Sequence, residues 1–136
     1  MIQIINQQLL DETSAKAQEN ERLRMNFNIH TQFDDPVNRM LNALEPNTII
    51  PIHRHQHPYK NESLVVLRGE ELDVLLYDDA GRLTERIMLN PAKGNYGIDI
   101  PGDIWHSIEV REKGTVIYEV KTGTYAPISE EDLFNI

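Results

Sequence analysis

From Arg24 onward the chain is a succession of short period-two runs separated by turn residues, and that pattern restricts it to a β fold. In RMNFNIH, Met25, Phe27 and Ile29 alternate with Arg24, Asn26, Asn28 and His30, as on a half-buried strand. RMLNAL, TIIPIHRH, SLVVLRG and LDVLLY follow. Asp78-Asp79-Ala80-Gly81 is a hairpin turn answered by RLTERIML. YGIDI, HSIEVRE and TVIYEVK complete the set, divided by PAKGN, PGD and EKG. Eight or nine short strands predict an all-β sandwich or barrel. Ahead of them Asn6 is positioned to cap a helix that ends near Asn20, with Leu9, Leu10 and Ala15 on one side. The expected organisation is one domain, with a helical segment over 1–22 and a β unit over 23–136. The tail TYAPISEEDLFNI is expected across the outside, with Ser129 as a cap ahead of its acids.

A chain of 136 residues with 40% hydrophobic content is large enough to bury a core. Its formal charge of −9 opposes sequence-independent nucleic-acid binding. No run reaches the roughly 18 to 20 apolar residues of a membrane span, and the N-terminus lacks the basic and apolar regions of a secretory signal. Cysteine is absent, which excludes disulfides, thiolate metal sites and cysteine nucleophiles. The expectation is a cytoplasmic protein whose partner is a small molecule. Neither a nucleophile elbow, a P-loop nor a dinucleotide fingerprint occurs.

The chemistry concentrates in HRHQH. Side chains two apart on a strand share a face, so His53, His55 and His57 project together if the strand runs that far. Glu62 opens the next run, which is expected to pair antiparallel with TIIPIHRH and carry its carboxylate to the histidines. His106 follows the Pro101-Gly102 turn at the start of another strand. Alone, HRHQH reads as a polar strand edge and His106 as a structural histidine beside Trp105. Together with Glu62 they form the donor set of one divalent metal ion of the Fe, Mn, Ni, Co or Zn class.

The spacing His55-x-His57, four residues, Glu62, six residues, Gly69 resembles the first motif of the cupin superfamily. Pro101 through His106 resembles the second, departing at Gly102, which directly follows the proline, and at Val110, where many cupins have Asn. Most of the chain is similar to the WbuC group of cupin-fold metalloproteins, small bacterial proteins often found near polysaccharide biosynthesis functions. RMNFNIH, NRMLNALEPNTIIPIHRH, ESLVVLRG, DDAGRLTERI, PGDIWHS and EVKTGTYAP carry that similarity. The resemblance implies a cupin double-stranded β-helix (jelly roll) with a short N-terminal helix, one mononuclear metal site and a homodimer. Two ligand pairs stay open: cupin spacing selects His55 with His57, whereas the WbuC-like proline two residues ahead of the first ligand fits Pro51 and selects His53 with His55. In the second case HPYKN is a local insertion and His57 is a spare or supporting group.

Arg24, Asn26, Asn28 and His30 share a face that is either solvated or lines the barrel mouth and binds a polar ligand. The planar fork of Arg suits a carboxylate or phosphate; Lys60 and Arg39 are further anion-binding candidates. YEVK can aim Glu119 or Lys121 inward, and Glu119 and the Tyr125 phenol are the candidate catalytic acid/base groups. Two functions follow. One is a metal-dependent isomerase, lyase or dioxygenase acting on a small sugar-like or carboxylated metabolite, with a link to bacterial surface polysaccharide biosynthesis. The other is a non-catalytic binding or sensor module with a structural metal. An acid/base group beside the metal favours the first.

Overall fold

The computed structural model describes residues 2–32 and 34–134. Asn6 caps α1 (Gln7–Glu19) by accepting from the Leu9 amide at 3.0 Å, and the helix stops at Asn20 in extended backbone. Its buried face carries Thr13, Ser14 and Ala17, with Leu10 against the same cluster. Spacings of three and four put those residues on one stripe; Ala15 lies off it and is exposed, contrary to the expected helix face.

Eight strands follow: β1 (Arg24–Asn28), β2 (Val37–Leu44), β3 (Glu62–Arg68), β4 (Leu72–Tyr77), β5 (Leu83–Leu89), β6 (Gly97–Ile100), β7 (Trp105–Val110) and β8 (Thr115–Thr122). They form two antiparallel sheets, ordered β1-β2-β8-β3-β6 and β5-β4-β7. Leu44, Leu64, Val74, Leu89, Ile108 and Ile117 belong to the main core. Helix α1 covers the other face of the large sheet through Leu41, Ala43 and Val116. Because both faces of β2 and β8 are covered there, those runs lack a plain apolar-polar alternation.

The inner face changes character along the strands. Leu44 gives way to Asn42 and Asn38 on β2, Ile117 to Glu119 and Lys121 on β8, and Leu64 to Glu62 on β3. Pairing of Asn38 with Lys121, and of Glu62 with Lys121, brings the polar stretches to one end of the sheet. One end of the barrel is therefore core and the other a cavity.

TIIPIHRH departs from expectation. It forms no regular strand and does not pair with β3, both edges of which are already occupied by β6 and β8. Pro51 also removes a donor from the run. Instead His53 bridges His106 on one side and Leu133 on the other. The bonds are His53 N to His106 O (3.0 Å), His106 N to His53 O (2.8 Å), Arg54 N to Asp132 O and Phe134 N to Ile52 O (both 3.0 Å). The tail thus extends the small sheet past the histidine segment. Among the described residues no helix is long and apolar enough to cross a membrane.

Gly102 explains the altered second motif. A Cβ there would lie 2.6 Å from His55 O and 2.7 Å from Lys60 O, both backbone atoms, and its own carbonyl accepts from His55 N at 3.0 Å. Gly102→Ala is expected to displace the His55–Lys60 loop at a cost of about 2 kcal/mol. Thermal melting should show a lower midpoint, and metal analysis a lower occupancy; an unchanged melting curve would contradict this packing.

Candidate metal centre

His53, His55, Glu62 and His106 bring one ligand atom each to within 4.8 Å of one another. Glu62 begins β3 in the large sheet, His106 lies on β7 in the small sheet, and His53 and His55 come from the segment bridged to β7. The carboxylate therefore reaches the histidines from the facing sheet rather than from a neighbouring strand. Glu62 and His106 are almost wholly buried.

Backbone carbonyls orient two of the rings. His53 Nδ1 lies 2.8 Å from Pro51 O, and His106 Nδ1 lies 3.0 Å from Ile104 O. A ring nitrogen facing a carbonyl must carry the proton, which leaves the Nε2 lone pair for the centre. There, His55 Nε2 is 3.0 Å and His106 Nε2 3.6 Å from Glu62 Oε2. Neither contact has hydrogen-bond geometry, so all three atoms are buried without a partner. Unpaired groups of this kind cost roughly 1–3 kcal/mol each, and a shared cation satisfies them together. The donor set fits one divalent ion of the borderline class.

Burial, then the charge of His106, pushes the His53 pKa down to about 3, so this ring is neutral and available as a ligand. Burial alone would raise the Glu62 pKa, but His106 and His55 hold it well below the usual carboxylate range. Burial also works against a charged His106, and Glu62 outweighs it, raising that pKa.

His57 is not in the cluster, so the histidine pair brought to the centre is the one selected by Pro51. Its Nδ1 sits 2.8 Å from Asp132 Oδ1, and its Nε2 is 3.5 Å from Glu131. Asp132, buried in the tail, also accepts from the backbone amides of Gln56 (3.1 Å) and His57 (2.8 Å) and from Arg54 Nε (3.3 Å). These bonds, with the Gln56–Tyr59 bridge, turn the chain away after His55. Asp132 escaped notice because SEEDL looks like a solvated cap; Ser129 does cap it, accepting from Glu131 N at 3.3 Å.

A cavity of about 520 Å³ opens beside the cluster, and Arg24, Asn26, Asn28 and His30 all line it. Arg24 Nη1 donates to Ile49 O (2.7 Å), Asn26 to Asn28 Oδ1 (2.8 Å), and His30 Nδ1 lies against the Arg39 backbone. Arg39 pairs with Asp35 at 3.5 Å and is not part of the wall. Lys60 donates to Thr124 O, and Tyr125 lines the same wall half-exposed. Glu119 is 4% exposed; its Oε1 accepts from Asn42 at 3.1 Å and its Oε2 lies 3.8 Å from Lys121 Nζ. Burial first, and then Glu62, push its pKa up to about 6. Asn38 and Asn42, not singled out in the sequence, complete the wall.

The family described as DUF6016, a domain of unknown function, matches residues 5–89. The chain belongs to that family. The match includes His53, His55 and Glu62 and ends before His106. No curated protein matches the sequence. KdgF from Halomonas sp. is similar in structure, at TM-score 0.57 and 13% identity over 75% of this chain and 82% of its own. An RmlC-like cupin protein from Desulfovibrio desulfuricans gives 0.53 and 13%, over 73% and 81%. Oxalate decarboxylase from Bacillus subtilis, a protein with Mn(II) centres, gives 0.56 and 18%, over 83% of this chain and only 27% of its own. The fold of this DUF6016 chain is the cupin jelly roll.

His55→Ala and His106→Ala are each expected to abolish stoichiometric metal uptake, measured by elemental analysis after purification without added metal. His57→Ala should retain it. A second expectation concerns pH. In metal-free protein the Glu119 pKa is raised from 4.5 to about 6, so the folded state holds the extra proton and stability falls as pH rises through that window. Denaturant unfolding of Glu119→Gln should lack this loss; identical pH slopes for both proteins would refute it.

Proposed function

We propose that the protein is a metal-dependent enzyme, an isomerase or lyase, acting on a small polar metabolite of sugar-like or carboxylated type. The observation that carries this is Glu119: a buried carboxyl on the wall of the cavity that also receives the cluster, with a pKa of about 6. A base poised near neutrality suits proton abstraction from carbon and its return. A divalent ion, when bound, supplies Lewis-acid polarisation of a carbonyl or hydroxyl oxygen.

The chain's own residues do the rest. Asn42 holds Glu119 Oε1, leaving Oε2 toward Lys121 as the atom that takes and gives the proton. The main core closes the inner end of the barrel and keeps bulk water from that side. The resemblance of the sequence to the WbuC group is the basis for a place near polysaccharide biosynthesis in this reading. A purely structural metal is the second reading, favoured by the near-complete burial of Glu62 and His106.

Deuterium wash-in separates the two. Metal-loaded protein incubated in D2O with a panel of aldoses, ketoses, aldonates and uronates should exchange a carbon-bound proton of at least one compound, followed by NMR. Glu119→Gln should slow that exchange by about 100-fold while keeping its metal. A panel left untouched by the loaded protein rejects the enzymatic reading.

A further inference from the structure

Two cations of the cavity, Lys60 and Lys121, stand outside the His53, His55, Glu62 and His106 donor set. Lys60 leaves the histidine loop, and Lys121 is the β8 register partner of Glu62. Lys60 is 6% exposed and donates from Nζ to Thr124 O, which occupies one of three ammonium protons. Lys121 Nζ stands 3.8 Å from Glu119 Oε2, and both lysines line the cavity with Tyr125.

The charge of the cavity opposes that of the molecule. In a chain of formal charge −9, Arg22, Arg24, Lys60 and Lys121 face only Glu62 and Glu119 inside it among the described residues. A bound divalent cation adds to the excess. An excess of positive charge inside a cleft draws an anion. The remaining wall has a different character. Asn26, Asn28, Asn38 and Asn42 present amides, which donate and accept as hydroxyls do. Asn38 is 2% exposed and its Oδ1 has no hydrogen-bond partner.

We propose that Lys60 and Lys121 form a carboxylate subsite, and that the ligand is a polyhydroxylated monocarboxylate, a sugar acid, with its hydroxyls along the amide wall. This rests on the metal-dependent reading above and specifies its substrate class. It gives both lysines a binding role that the metal centre does not require. It also assigns the unpaired Asn38 oxygen a hydroxyl donor.

Titration calorimetry on the full chain, metal-loaded and metal-free, tests the subsite with D-gluconate, D-glucuronate, D-glucose and inorganic phosphate as probes. At least one of the two sugar acids should bind, D-glucose should not, and phosphate should bind more weakly than the acid. Lys121→Met and Lys60→Met should each weaken sugar-acid binding by about tenfold, the loss expected for a hydrogen bond to a charged group. Lys121→Arg should restore most of it, and matching melting curves exclude misfolding. Sugar-acid binding unchanged in both Met variants, equal binding of D-glucose, tighter binding of phosphate, or no binding of either acid would overturn the proposal. The metal-free arm separates the two readings. A lysine-dependent affinity in protein that takes up no metal sinks the metal reading alone, and metal uptake with no lysine effect sinks the subsite alone.

Discussion

The confrontation of Glu62 Oε2 with the Nε2 atoms of His55 and His106 is the constraint around which the structure is arranged. Three buried polar atoms without hydrogen-bond partners are a poor arrangement in any core. Each is fixed from behind by something that does not relax easily. Glu62 sits in a strand paired on both edges, His106 is locked by the Ile104 carbonyl, and His55 N is tied to Gly102 O. A cation shared by these atoms would join the two sheets at their open end. The apolar core joins them at the other.

The tail belongs to the same construction. Asp132 gathers two loop amides, a guanidinium and the His57 ring, and Leu133 bridges His53 on the edge away from His106. Arg54 lies 4.2 Å from the centre of the Trp105 ring, so the loop is held from the side of β7 as well. The segment with the most ligands is thereby the least regular and yet one of the most heavily tethered. Catalytic and binding sites need that rigidity, because a metal set displaced by an ångström loses its geometry. The polar gradient along β2, β8 and β3 then aims the cavity at the same point.

The sequence by itself determined the strand-rich architecture, the Asn6 cap and the donor types. Period-two runs and turn residues are local signals, and eight of the nine runs became strands close to where they were read. TIIPIHRH was the exception. Its β-branched residues satisfy local propensity, but no free edge of β3 was available to pair with it. Cupin-like spacing marked His55, His57 and Glu62, and the Pro51 pattern marked His53 and His55. Spacing cannot decide between them, because a loop can leave the sheet at either histidine. Asp132, 75 residues further along, decides it by binding His57 away from the centre. The facing of Glu62 with His106, the burial that raises the Glu119 pKa and the placing of Lys60 and Lys121 in one cavity are likewise tertiary. Each depends on charge, burial and distance between segments far apart in the chain, and those quantities exist only once the two sheets have closed on each other.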